Sequence, residues 1–334
     1  MNGIQQRTDV FDFTLEHRVN KRWIPLCYQV FGQPIGTAPV VLVNHALTGN
    51  SQVTGENGWW NELIGENKTI DTVIYTVISF NVPGNGSDGE SKNLIENYKD
   101  FTTRHIAKIF WKGLHSLNIS QLYAVIGGSI GGAIAWEMAF LKPNSIKHLI
   151  PIASDWKSSD WLIANVLVQD QILNNSNNPI HDARMHAMLL YRTPESLKAK
   201  FNRSKNENEE LYQIESWLQH HGKKLESRFE LAAYKLMNHL LKTIGEDMDS
   251  EQLLAFAEET SAKIHIVAVN SDYFFTAEEN RETYKMLKTV KKDVMYDEIQ
   301  SIHGHDAFLI EFEQLNAILK NIFTTTTKLE TIQV

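Results

Sequence analysis

The segment Tyr123-Ala-Val-Ile-Gly127-Gly-Ser129-Ile-Gly131-Gly132 sets one serine at the corner between an apolar run and a helical pattern. Gly127, Ser129 and Gly131 satisfy G-x-S-x-G, in which a hydroxyl held in a strained turn needs neighbours without a Cβ. Ile134, Met138 and Leu141 continue at helical spacing until Pro143 stops the run, so Ser129 is expected at a helix N-terminus, exposed to a substrate. There the Ile130 N–H and the positive end of the helix dipole can receive a developing oxyanion. The bland reading of the same residues is a Gly-rich strand–helix turn with an idle serine.

A hydroxyl is a poor nucleophile near neutral pH, so acyl-transfer chemistry needs a histidine base and an acid that fixes its tautomer. Thirteen histidines are available. The choice narrows if the acid follows a later strand and the base comes after it, near the C-terminus. Residues 264–269 read as such a strand and lead into Asn270-Ser271-Asp272, which makes Asp272 the acid. Residues 293–299 read as a last strand, followed by Ser301-Ile302-His303-Gly304-His305-Asp306 and a helical pattern over 307–323. Either His305 or His303 is then the base. A second oxyanion donor should come from the loop after an earlier strand at 40–43, where Asn44-His45-Ala46-Leu47-Thr48-Gly49 offers the Leu47 N–H. His45 lies upstream of the nucleophile, which argues against it as the base.

The elements that must hold these groups are legible as runs of apolar, β-branched residues. Those at 40–43, 72–80, 123–126, 146–152 and 264–269 read as strands buried on both faces, the mark of a mostly parallel sheet covered by helices. Ahead of them, 11–15 and 25–31 read as an N-terminal strand pair of antiparallel kind. Residues 155–262 break the rhythm. This stretch is polar and helical, with Leu225, Phe229, Ala232, Leu236 and Leu240 on one apolar face, Gly245 as a stop and Asp249…Gln252 as a capping-box restart. The prediction is a core made of 1–154 and 263–334, with a helical lid inserted at 155–262.

Bulk properties narrow the function. The 334 residues carry 32 basic and 40 acidic side chains, and a net charge of −8 argues against nucleic acid or an anionic membrane as partner. Cys27 is the only cysteine, so there is no internal disulfide and no thiolate metal cluster, which fits a reducing cytoplasm. The opening MNGIQQRTDVFDF lacks the regions of an export signal, and no apolar run reaches membrane-spanning length, so a soluble, unexported protein is expected.

Other signals are weaker. Gly84-Asn-Gly86-Ser-Asp-Gly89 fits a dinucleotide fingerprint, but no helix pattern opens at Gly86. His303, His305 and Asp306 lack a further ligand at metal-site spacing, so no metal is expected. Trp59 and Trp60 read as packing residues, with a pocket wall as the second reading. His220 and His221 read as solvated surface, as does the basic group Lys198, Lys200 and Arg203.

The pieces NHALTGN (44–50), GWW (58–60), ENKTIDT (66–72), GGSIGG (127–132), ARMHAMLLYRT (183–193), RFELAAY (228–234), SDYFFTAEE (271–279) and GHDAFL (304–309) together resemble the homoserine O-acetyltransferase family of the α/β-hydrolase superfamily. The resemblance implies the α/β-hydrolase fold with an inserted helical lid. It makes His305 rather than His303 the base, Ser129 the acyl acceptor and Asp272 the residue that orients His305. It carries over Arg184 and Asp306 as substrate ligands, a guanidinium for the α-carboxylate of L-homoserine and a carboxylate for its α-ammonium. The implied reaction moves an acyl group, acetyl by preference, from acyl-CoA to the homoserine side-chain hydroxyl, a step of methionine biosynthesis. Acyl-CoA is then a co-substrate, with no bound cofactor, and the lid helices form a homodimer interface. Two departures leave succinyl-CoA as donor, and serine or water as acceptor, open. The segment between Ser154 and Arg184 is short, and Leu231 and Ala232 lack the polar groups usual in that motif.

Overall fold

A computed structural model describes residues 6–15, 22–206 and 210–323. Residues 1–5 of the opening segment and 324–334 at the other end, all assigned above to the core, lie outside the described residues.

Eight strands form one sheet: β1 (Gln6–Phe13), β2 (Arg22–Gly32), β3 (Val40–Asn44), β4 (Thr76–Phe80), β5 (Leu122–Gly128), β6 (Ile146–Ile152), β7 (Lys263–Val269) and β8 (Val294–Ile299). Their order is β1-β2-β4-β3-β5-β6-β7-β8, and only the pairings made by β2 are antiparallel. Burial on both faces explains the continuous apolar runs. Val40 and Leu42 point into one core cluster and Val41 and Val43 into the other, so alternate residues of β3 serve two layers. The first layer receives α1 (Thr103–Ser116), α2 (Ile130–Leu141), α8 (Ser250–Glu259) and α9 (Ala277–Lys288); the second receives α10 (Phe312–Phe323) and apolar residues of 53–75.

Strand β4 starts four residues later than the pattern at 72–80 predicts. Asp71 decides this. Its side chain accepts from Val73 N–H at 2.8 Å and its carbonyl from Tyr75 N–H at 2.9 Å, so a turn competes successfully for residues the strand would otherwise take. The C-terminal helical pattern at 307–323 is likewise split, into a 3₁₀ turn at Gly304–Leu309 and α10 from Phe312. Ile310, with φ −126° and ψ −46°, separates the two.

Between β6 and β7 lie α3 (Asp160–Asn175), α4 (Pro179–Tyr191), α5 (Pro194–Phe201), α6 (Gln213–Glu226), α7 (Leu231–Lys242) and then α8. The apolar face expected from Leu225 to Leu240 is shared by two helices. Arg228 N–H bonds only three residues back, to Leu225 at 3.1 Å, and Glu230 is extended, so the chain turns before α7 starts. The capping box foreseen at Asp249 and Gln252 is present in both directions at 2.8 Å. Helix α8 packs through Phe256 on Trp136 and Phe140 of α2, at ring distances of 6.4 and 4.9 Å. It therefore flanks the sheet, whereas α3, α4 and α7 meet Leu47 in the loop after β3, and residues 192–196 meet the loop after β8. Among the described residues no helix is long and apolar enough to cross a membrane.

Two histidines on adjacent strands, His148 of β6 and His265 of β7, share a hydrogen bond of 3.1 Å beside the Tyr123 ring. Burial pushes them down to about 3 and about 4, with Lys147 and Lys263 adding repulsion and Asp293 opposing it at His265. Both are thus neutral in the fold at pH 7, while the unfolded chain takes up their protons near pH 6.5. Stability is expected to hold above that pH and to fall as the pH drops toward 4. Thermal melts at pH 7.5 and 5 should show the loss, and replacing both histidines by Gln should flatten the dependence.

Candidate active site

Ser129 sits between β5 and α2 with φ 58° and ψ −131°, a left-handed conformation that costs a non-glycine residue roughly 1–3 kcal/mol. Packing around the turn holds it there. A Cβ on Gly127 would lie 2.4 Å from the Gly131 carbonyl carbon, and one on Gly131 would lie 2.4 Å from the Asn44 carbonyl oxygen. The turn is therefore wedged against the end of β3, and the Asn44 side-chain amide donates back to the Gly131 carbonyl at 3.1 Å. Ser129 N–H is bound to the Ile152 carbonyl at 2.9 Å, which ties the corner to β6 as well.

Three strand ends bring three side chains together. His305 Nδ1 lies 2.7 Å from Asp272 Oδ2, and its Nε2 lies 2.9 Å from Ser129 Oγ. All three residues are buried. Asp272 follows β7, and its other oxygen accepts the Phe274 and Phe275 N–H groups at 2.6 and 3.0 Å, so the carboxylate cannot turn away. With the carboxylate at Nδ1, the proton resides on Nδ1 and Nε2 is left to accept the serine O–H. The imidazole is packed among Tyr191, Phe274, Phe275 and Phe308, with ring centroids 5.1 to 5.8 Å away. His303, the other histidine open to the residue-level reading, points elsewhere: its Nδ1 meets Arg192 at 2.9 Å and Ser196 at 3.0 Å.

The two residues expected to supply oxyanion donors follow strands β5 and β3, whose ends meet at the Gly131–Asn44 contact. Ile130 is the first residue of α2, where an N–H has no partner within the helix. Leu47 follows β3 and lines a narrow cavity under α3, α4 and α7, along with Tyr191, Tyr234 and Phe274.

Arg184 projects from α4 over the Tyr191 ring, 5.4 Å from its centroid, and makes neither a hydrogen bond nor an ion pair with any described residue. Asp306 stands in the 3₁₀ turn beside His305, 3.9 Å from Arg192. Burial raises its carboxyl above the ordinary carboxylate range, against the pull of Arg184, His305 and Arg192. Arg184 and Asp306 therefore sense each other without closing on each other. Since α10 starts only at Phe312, Asp306 does not cap that helix.

This chain belongs to the homoserine O-acetyltransferase family of α/β hydrolases. The family model for the α/β-hydrolase fold matches residues 39–235. A homoserine O-acetyltransferase of Methanobrevibacter ruminantium is 31% identical, over 90% of this chain and 69% of the relative. A homoserine O-succinyltransferase of Neisseria gonorrhoeae is 32% identical, over 82% of each. The crystal structure of homoserine O-acetyltransferase from Bacillus anthracis superposes with a TM-score of 0.84 at 17% identity, covering 96% of this chain and 98% of that one. The α/β-hydrolase fold and mostly parallel sheet expected from the sequence are thus those of the family.

Two further residues near Arg184 were not singled out by residue type. Tyr191 closes the ARMHAMLLYRT motif, and burial raises its hydroxyl pKa strongly. Arg228 opens RFELAAY; its Nη1 donates to the Thr48 carbonyl at 3.2 Å, and burial followed by the Arg184 charge lowers its pKa. Their motifs were visible, but only the fold reveals that Arg184 lies over the Tyr191 ring and within electrostatic reach of Arg228. The aromatic pair serves packing: Trp60 is fully buried and donates to the Phe308 carbonyl at 3.3 Å, behind the ring that touches His305. Lys200 lies over the Trp217 ring at 5.1 Å and His221 packs on the same ring at 4.4 Å.

The wedge at Gly131 makes a direct prediction. Gly131→Ala should cost about 1–3 kcal/mol, since the new Cβ would meet the backbone of Asn44 and His45, with no side chain to move aside. Urea melts with an unchanged m-value would measure it.

Proposed function

We propose that the chain transfers an acyl group, acetyl by preference, from acyl-CoA to the side-chain hydroxyl of L-homoserine, through an acyl-enzyme on Ser129. In the first half-reaction Ser129 loses its proton to His305 and attacks the thioester carbon. The N–H groups of Leu47 and Ile130 hold the oxyanion, and CoA leaves with the proton from His305. In the second, the homoserine hydroxyl gives its proton to His305 and attacks the acyl carbon, and Ser129 Oγ departs taking that proton back from His305. Asp272 keeps the imidazole in the working tautomer throughout. The product would enter methionine biosynthesis.

One observation carries the choice of acceptor. A guanidinium with no hydrogen-bond or ion-pair partner among the described residues, Arg184, lies over the Tyr191 ring that packs on His305, and a buried carboxylate within reach of its charge, Asp306, adjoins His305 in the chain. That polarity matches a free amino acid, whose carboxylate and ammonium would be gripped while its side-chain hydroxyl reaches the acyl-enzyme. Transfer wins over hydrolysis when the acceptor is held in reacting geometry and water is excluded, which is the work we assign to helices α3 to α7 of the inserted segment.

A second copy of the chain is the proposed partner of the lid. On α3, Trp161, Ile163, Leu167 and Val168 are 41–60% exposed although Leu162 and Val166 of the same helix are buried. A helix apolar on both faces needs cover on both, and an antiparallel pairing of two lids would supply it. Leu167→Glu should convert a dimer to a monomer in light scattering while leaving the fold intact.

The decisive experiment crosses acetyl-CoA and succinyl-CoA with homoserine and serine, following free thiol and identifying products by mass. Acetyl-CoA with homoserine is expected to be the most active pair. CoA release that proceeds equally without an acceptor would mark the protein as a hydrolase instead. Ser129→Ala should lower turnover at least about 10³-fold. Arg184→Ala should raise the homoserine KM by about tenfold to a hundredfold, the loss of a charge-assisted pair, and spare the first half-reaction. Equal losses in both steps would reject its role.

A further inference from the structure

His45 is buried behind the loop that follows β3 and takes no part in the triad. Its two ring nitrogens are both engaged. Nε2 lies 3.0 Å from the Val82 N–H, which can only donate, so Nε2 must be the acceptor and the ring proton is on Nδ1. The Asn85 amide approaches the same nitrogen at 3.3 Å. Nδ1–H therefore donates to the Ala46 carbonyl, at 2.7 Å. The same carbonyl also accepts the Gly49 N–H at 2.9 Å. Burial pushes His45 down to about 4, so the ring is neutral at pH 7 and keeps one donor and one acceptor.

Two donors on one carbonyl fix a peptide plane. The Ala46–Leu47 bond is trans, so its N–H points opposite to its C=O. A carbonyl drawn back toward His45 and Gly49 turns the Leu47 N–H outward, to the side where Leu47 lines the cavity with Tyr191 and Phe274, the rings packed on His305. We propose that His45 is a positioning residue: its Nδ1–H locks the Ala46–Leu47 peptide so that the Leu47 N–H is aimed in advance at the oxyanion formed on attack by Ser129. This rests on the acyl-enzyme reading above. It gives a physical reason for a buried histidine in the HALTG segment, and it ties the oxyanion loop to the 82–85 loop, which the reaction otherwise leaves idle.

Two conservative substitutions separate the two bonds of His45. Asn presents an amide N–H near the place of Nδ1, so His45→Asn keeps the bond to the Ala46 carbonyl. Gln presents its amide near the place of Nε2, so His45→Gln keeps the acceptor for Val82. His45→Ala keeps neither. The measurements are kcat and KM for thiol release from acetyl-CoA, and the inhibition constant of a trifluoromethyl ketone analogue of acetyl-CoA. That ketone adds Ser129 Oγ across its carbonyl, with the serine proton passing to His305, and so creates the oxyanion without turnover.

His45→Ala and His45→Gln are expected to lower kcat by about 10²–10³-fold, the loss seen when one oxyanion donor is removed, with acetyl-CoA KM changed less than about threefold. The ketone should weaken by the same factor as kcat. His45→Asn should stay within about tenfold of the parent on both readouts. If His45→Ala does not fold, the comparison of Asn with Gln carries the same contrast. The proposal is overturned if Asn falls as far as Gln, or if kcat drops while the ketone binds as before. Failure of the parent protein to form any Ser129 adduct would instead sink the acyl-enzyme reading itself.

Discussion

The contact between Gly131 and the carbonyl of Asn44 governs the geometry of this molecule. A helix start can press against the end of a neighbouring strand only if no side chain intervenes, and here the clearance is below that of any Cβ. The contact holds Ser129 in a left-handed conformation at the tip of β5, and it brings the loop after β3 alongside the first N–H groups of α2. The serine and the loop after β3 are thus tied to one backbone packing contact. The strain at Ser129 persists because β3, β6 and α2 all bind the same few residues.

Around that corner the charges are arranged unequally. Both oxygens of Asp272 are engaged, one by two backbone N–H groups and the other by the imidazole. Asp306, next to His305 in the chain, accepts no hydrogen bond from any described residue; it has Arg192 at 3.9 Å and the through-space influence of Arg184 and His305. Two carboxylates so close in space therefore have different work open to them. One is fully committed to orienting an imidazole, and the other retains lone pairs for a cation from outside. Arg184 is its counterpart of opposite sign, and Arg228 adds a second guanidinium near the Thr48 carbonyl. A site with unspent charge on two sides has a polarity suited to a zwitterion, and low dielectric strengthens the match.

The segment above the strand ends is anchored where it matters most. The C-terminal end of α4 touches the 302–306 loop through Thr193 to the Ile302 carbonyl, Arg192 to His303, and the Tyr191 ring to the His305 ring. Gly304, with φ 67°, allows that approach, since a Cβ there would meet the Tyr191 carbonyl at 2.9 Å. Any shift of α4 would therefore be felt directly by the imidazole. The outer face of α3, on the opposite side of the same layer, is left apolar and uncovered.

Much of this was legible without coordinates, for reasons of chemistry and periodicity. The strands were visible because burial on both faces demands uninterrupted apolar runs, and the elbow because close backbone contact demands glycine. Ser129 and Asp272 could be named from chain order and strand ends, but the base was narrowed by those only to His303 or His305, both histidines of one loop, and the family resemblance chose His305. Only the path of that loop past Arg192 sends one ring to Ser196 and the other to Ser129. The start of β4 and the break before α7 were likewise hidden, because side-chain and turn hydrogen bonds at Asp71 and Arg228 compete with the hydrophobic pattern that sequence reading follows. Arg228, Tyr191 and His45 lay in plain view inside motifs, yet nothing in their spacing tells which neighbours they meet. Local sequence determined which residues could do chemistry and which segments would be strands; contacts between residues far apart in the chain decided which of those residues face one another, since direction in space is a property of packing and not of order along the chain.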